Sequence, residues 1–153
     1  MKIYIVGDSI SIQYGPYLKV YLEGSMDYSR KEDEEEALLN LDRPQGASGG
    51  DSSMVLSFLR AKAESGDIDA ELLLINCGLH DIRTDPETGK KQVSIAAYAE
   101  NLHAIVDTVE RMKPALIWIR STPCDETVHN NAGLNLHRSR LTVTPTTVWP
   151  IRL

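Results

Sequence analysis

The sequence is short of cysteine, of basic residues and of long apolar runs, and each shortage removes a class of protein. Cys77 and Cys124 are its only cysteines, too few for a disulfide framework, so both are expected as reduced, partly buried thiols. A formal net charge of −6 offers no basic face, so neither nucleic acid nor an acidic membrane surface is expected as a partner. Lys2 leads straight into Ile3-Tyr4-Ile5-Val6, far shorter than the apolar core of a signal peptide or membrane span. A cytoplasmic protein is expected. There are no internal repeats.

Acidic residues are also missing from one part of the chain. None follows Glu126, whereas Arg138, Arg140 and Arg152 do, so residues 1–126 carry −9 and the remainder +3. This break divides the chain into an α/β domain over 1–126 and an atypical extended tail over 127–153. What is present otherwise is ordinary for a globular domain: 153 residues, 42% hydrophobic and 25% charged, enough to bury one core.

Lys2–Val6 reads as a short buried strand that ends in Gly7-Asp8-Ser9. Pro16 is placed at the opening of a helix through Tyr17, Leu18, Val20 and Tyr21. Arg30 to Glu36 is a charge run, expected as a solvated loop or helix start. Leu38–Leu41 is a candidate second strand. Gly46–Ser53 is a turn of small residues, continued by an amphipathic helix over Met54–Lys62. Leu72-Leu73-Leu74-Ile75 is the clearest strand and leads into Gly78-Leu79-His80-Asp81. Ile95, Tyr98, Leu102, Ile105, Val106 and Val109 keep a helical period up to Pro114. Ala115–Ser121 is a further strand. Strands alternating with helices imply a mostly parallel sheet, whose sites gather at the carboxyl ends of the strands. Three polar, glycine-containing turns therefore converge on one rim.

Each turn is ambiguous alone. Ser9 follows a buried strand, and a serine hydroxyl becomes a useful nucleophile only when held rigidly near a base and oxyanion donors. Asp8 and Ser9 are equally good helix caps. Gly46-Ala47-Ser48-Gly49-Gly50-Asp51-Ser52-Ser53 lets backbone N–H groups point inward, or is a loop before a capped helix; it lacks the lysine of a phosphate-binding P-loop. His80 offers an imidazole to donate or accept a proton, or is a solvated loop residue. Asp81 orients that turn or caps it.

Together the turns resemble the first three conserved blocks of the SGNH/GDSL hydrolases, in order and in spacing, from Lys2 to about Pro123. The resemblance implies a three-layer α/β/α, flavodoxin-like fold and a serine esterase needing no metal or cofactor. It implies Ser9 as nucleophile. The oxyanion hole would be formed by the Ser9 N–H, a glycine of the second block (Gly50, with Gly49 the alternative) and the third-block side chain. Small acyl esters, acetylated sugars among them, are the implied substrates.

Two departures accompany the resemblance. The family's third block reads Gly-x-Asn-Asp, and His80 stands at the Asn position. The family's closing Asp-x-x-His block has no counterpart after Pro123. Asp125 and His129 are four apart, a different spacing, and are candidates for a replacement base. His137 is another. His103 flanks the apolar stripe of its helix and reads as a boundary residue. Residues 138–153 alternate Leu141 and Val143 with threonines before Pro145 and Pro150, which suggests an extended arm and a truncated or altered end. Loss of a closing helix would expose apolar surface, so a homo-oligomer is expected, with a neighbouring subunit able to supply the base. The alternative function is a catalytically inactive binding or assembly module. A flavodoxin-like phosphate binder is disfavoured by Asp8, which would repel phosphate.

Overall fold

A computed structural model of the chain describes residues 1–121 with Asp125, Thr127, His137 and Arg138, the last two by backbone alone. The elements in order are β1 (Lys2–Gly7), α1 (Ser9–Leu22), β2 (Asp27–Arg30), α2 (Glu34–Leu39), α3 (Ser52–Ser65), β3 (Leu72–Asn76), β4 (Arg83–Thr84), α4 (Ile95–Met112), β5 (Ala115–Trp118) and β6 (His137–Arg138). Four strands form one parallel sheet in the order β2-β1-β3-β5, so the expected α/β class with a mostly parallel sheet is present. A short antiparallel pair, β4 with β6, sets Thr84 opposite His137.

The apolar run of β1 follows from burial on both faces, as parallel strands require. Val6 of β1 and Leu73 and Ile75 of β3 face Val55 and Leu59 of α3 and Ile105 of α4. Ile3, Ile5 and Leu74 point the other way, toward Tyr14, Leu18 and Leu22 of α1. Ile117 and Ile119 continue this second face, where Ile117 stays 41% exposed.

Three local expectations change. The second strand is Asp27–Arg30 rather than Leu38–Leu41, because Lys2–Ile5 offers it a backbone edge to pair with. Leu38 and Leu39 lie in or at the end of α2, exposed by 60% and 81%. Pro16 lies inside α1 instead of opening it; the helix starts at Ser9 because Asp8 caps it. Arg30 belongs to no solvated run. It is buried, and its guanidinium donates to the Ser11 carbonyl at 3.1 Å and the Ser11 hydroxyl at 3.0 Å. The extended arm expected over 138–153 lies outside the described residues, Arg138 excepted. No helix among the described residues is long and apolar enough to cross a membrane.

Candidate active site

The three turns singled out in the sequence are tied to one another at the carboxyl edge of the sheet by three hydrogen-bond links. The first joins the end of β1 to the glycine-rich turn: the Gly49 N–H donates to the Gly7 carbonyl at 2.7 Å, beside a parallel bridge between Gly7 and Ser48. The second joins β1 to β3: the Asn76 amide donates to Asp8 Oδ1 at 2.8 Å. The third closes the triangle. Asp81 accepts from the Ser52 N–H at 3.0 Å and from the Ser52 hydroxyl.

Asp8 thus does two structural tasks. Its carboxylate caps α1 through the Ile10 N–H at 3.0 Å while receiving Asn76. Asn76 is fixed from its other side by the Tyr14 hydroxyl, which donates to Oδ1 at 3.3 Å. Burial pushes the Tyr14 phenol up to about 12, so it stays a donor at neutral pH. Gly7 is needed beside this amide: a Cβ there would fall 2.1 Å from Asn76 Oδ1.

With Asp8 as cap, Ser9 occupies the first position of α1, half-buried. The first N–H groups of a helix have no intrahelical partner and carry the positive end of its dipole. The hydrogen bonds among the described residues leave the Ser9 N–H unused, and the Gly50 N–H likewise. Gly49, the alternative second-block donor, is different because its N–H is engaged by Gly7. Gly50 sits at φ 71°, and a Cβ there would lie 2.6 Å from Met54 Sδ and 2.8 Å from Pro44 Cβ. The α3 helix starts just beyond, capped by Asp51 through the N–H groups of Ser53 and Met54, both at 3.0 Å. Gln92 holds the second Asp51 oxygen at 2.7 Å. Two helix N-termini therefore open at one edge, an arrangement suited to stabilising negative charge.

His80 is fully buried, so the solvated-loop reading does not hold. Its Nδ1 lies 3.3 Å from Arg83 Nη1. A guanidinium only donates, so Nδ1 accepts and the ring carries its proton on Nε2. That tautomer makes His80 a hydrogen-bond donor at Nε2, the task an Asn would perform, and occupies the lone pair a base would need. Arg83 also donates to the Asp42 carbonyl, which anchors it.

Burial pushes the Asp81 carboxyl up, with the Ser52 hydrogen bonds pulling the other way. Asp51 responds oppositely: burial disfavours its ionisation too, but hydrogen bonds from Ser53, Gln92 and Met54 hold it below the usual range. Burial, reinforced by Asp81, Asp8 and Asp51, pushes the Cys77 thiol far up, so this free cysteine stays protonated and is a poor nucleophile. Among the described residues no group of three or more His, Cys, Asp or Glu side chains converges as a metal cage would.

Asp125 is exposed, and its carboxylate accepts from the Thr127 N–H at 3.0 Å. His103 is exposed on α4, as a boundary residue should be. His129 and Cys124 lie outside the described residues. His137 is placed only by its backbone, opposite Thr84. Sequence reasoning missed Asn76, Arg83 and Gln92, whose roles depend on partners distant in the chain; only the position of Asn76 at a strand end hinted at one. Compared with family models, curated proteins and solved structures, the chain matches none.

Proposed function

We propose that the chain is a serine ester hydrolase of the three-layer SGNH type, acting on small acyl esters, acetylated sugars among them. The observation that carries this reading is the hydrogen-bonded triangle of turns, with Ser9 at a helix start and the N–H groups of Ser9 and Gly50 left unused among the described residues. In the proposed reaction the Ser9 hydroxyl attacks the ester carbonyl, and those N–H groups, with His80 Nε2–H, receive the oxyanion. The bond to the alcohol breaks, the serine proton leaves with the alcohol, and water releases the acid from the acyl-enzyme.

The serine proton needs an acceptor on the way. The tautomer of His80 suits donation instead, so the base is sought at His129 with Asp125, or at His137, which pairs with Thr84 through the backbone. Serine hydrolases lacking a triad member keep a residual acceleration on the order of 10³–10⁴ over water, which sets the scale if no base replaces the missing one.

The test is hydrolysis of p-nitrophenyl acetate by the chain and by Ser9→Ala. Turnover that vanishes in the variant, with stoichiometric acylation of Ser9 seen by mass spectrometry, is the expected result. Equal background rates and no acylation would replace this reading with that of an inactive binding module.

A further inference from the structure

On the α1 side of the sheet an apolar groove of about 640 Å³ runs between that helix and β5. Its floor is Leu72 and Leu74 of β3 with Ile117 and Ile119 beside them, and its wall is the Tyr14, Leu18 and Tyr21 face of α1. The two sides run antiparallel, so Ile10 lies at the same end as Asn76, and Leu22 at the same end as Leu72. From Leu72 to Asn76 the floor spans roughly 13 Å at the rise of a parallel strand.

The polar groups of the lining are not scattered. Among the described residues, apart from the tyrosines, they are Asn76, Arg120 and Ser121, all at the carboxyl end of the strands. Arg120 is exposed and makes no hydrogen bond or ion pair among the described residues. The same end adjoins the candidate site, since Ile10 follows Ser9, Leu79 precedes His80 and Asn76 holds Asp8. A hydrocarbon trough with one polar, cationic end is complementary to an amphiphile lying lengthwise.

We infer that this groove binds the single alkyl chain of an amphiphile with an anionic head, a medium-chain fatty carboxylate in the simplest case. The chain lies on Leu74 and Ile117, and the head meets Arg120 at the rim. A second copy of the protein is the less suitable occupant of this groove, because its polarity is graded along one axis. The inference concerns binding and stands whether or not Ser9 turns substrate over.

Calorimetric titration of the full chain with decanoate, butanoate and 1-decanol tests it. Decanoate should bind one to one, with affinity rising about tenfold for every two methylenes beyond butanoate. Arg120→Ala should weaken decanoate several-fold and leave 1-decanol unchanged. Ile117→Glu and, as a variant at a far more exposed position, Tyr21→Glu should each weaken decanoate at least tenfold while the melting temperature is kept. Ser9→Ala should bind decanoate like the parent, which separates this inference from the esterase reading. Equal affinity for butanoate and decanoate would overturn it. So would a ligand-free dimer by light scattering that Ile117→Glu dissociates, since a second copy would then fill the groove.

Discussion

Asp81, just past the third strand, accepts both the N–H and the hydroxyl of Ser52, a residue 29 positions earlier at the start of α3. Both residues are buried, so removing the carboxylate leaves two donors without water or protein. Asp81→Ala should lower stability by about 1–3 kcal/mol in denaturant unfolding. Asp81→Asn keeps an acceptor and should lose less. Equal losses would mean that the carboxylate acts through charge and not as an acceptor.

The two carboxylates that frame Gly50 and Ser52 should give opposite pH responses. Asp81 is raised by burial, so its contribution to stability is full below the unfolded carboxylate range and is lost as pH rises through its folded value. Asp51 is depressed by its hydrogen bonds, so its contribution is present above the unfolded range and lost as pH falls through its folded value. Measured against the parent between about pH 3 and 7, Asp81→Asn should gain stability as pH rises, and Asp51→Asn should fall further behind. Deviations of the same sign would refute this assignment.

Gly50→Ala combines a left-handed backbone with two close contacts, to Met54 and Pro44. A tolerated Gly→Ala change stabilises by about 0.4–1 kcal/mol, whereas here the left-handed backbone alone should cost on the order of 1–3 kcal/mol. Because the turn also carries a proposed oxyanion donor, hydrolysis should fall even where the protein stays folded by circular dichroism. Retained activity in a folded Gly50→Ala protein would remove this N–H from the proposed site.

His80→Asn should keep a hydrogen-bond donor at this position of the proposed site. We expect it to retain hydrolysis, whereas His80→Ala loses on the order of 10²–10³ in turnover. A His80→Asn protein as inactive as His80→Ala would point to His80 as a base instead.

The main strands and helices were legible because their periods are strong: Leu72–Ile75 is apolar throughout, and the 95–109 region repeats at helical spacing. The strand at Asp27–Arg30 was not legible. Its sequence, Asp-Tyr-Ser-Arg, has no apolar run, and it extends only because β1 offers it a partner. Leu38 and Leu39 misled in the other direction, as apolar side chains that stay exposed. At the candidate site the glycines and Ser9 could be found from their turns, since local geometry selects those residue types. The hydrogen bond from Asn76 to Asp8 crosses 68 positions, and no local pattern signals it. Arg83 is near His80 in sequence, yet its effect on the ring's proton emerges only once both are buried.

The sheet order β2-β1-β3-β5 carries a consequence for how the chain is made. β1 and β2, being neighbours in sequence, can pair as soon as both are made, and that pairing leaves the other edge of β1 open. β3 adds to that edge, and β5 then adds to β3. Among the described strands none has to be inserted between two that already pair, so the growing polypeptide can build this sheet by accretion in the order in which it leaves the ribosome.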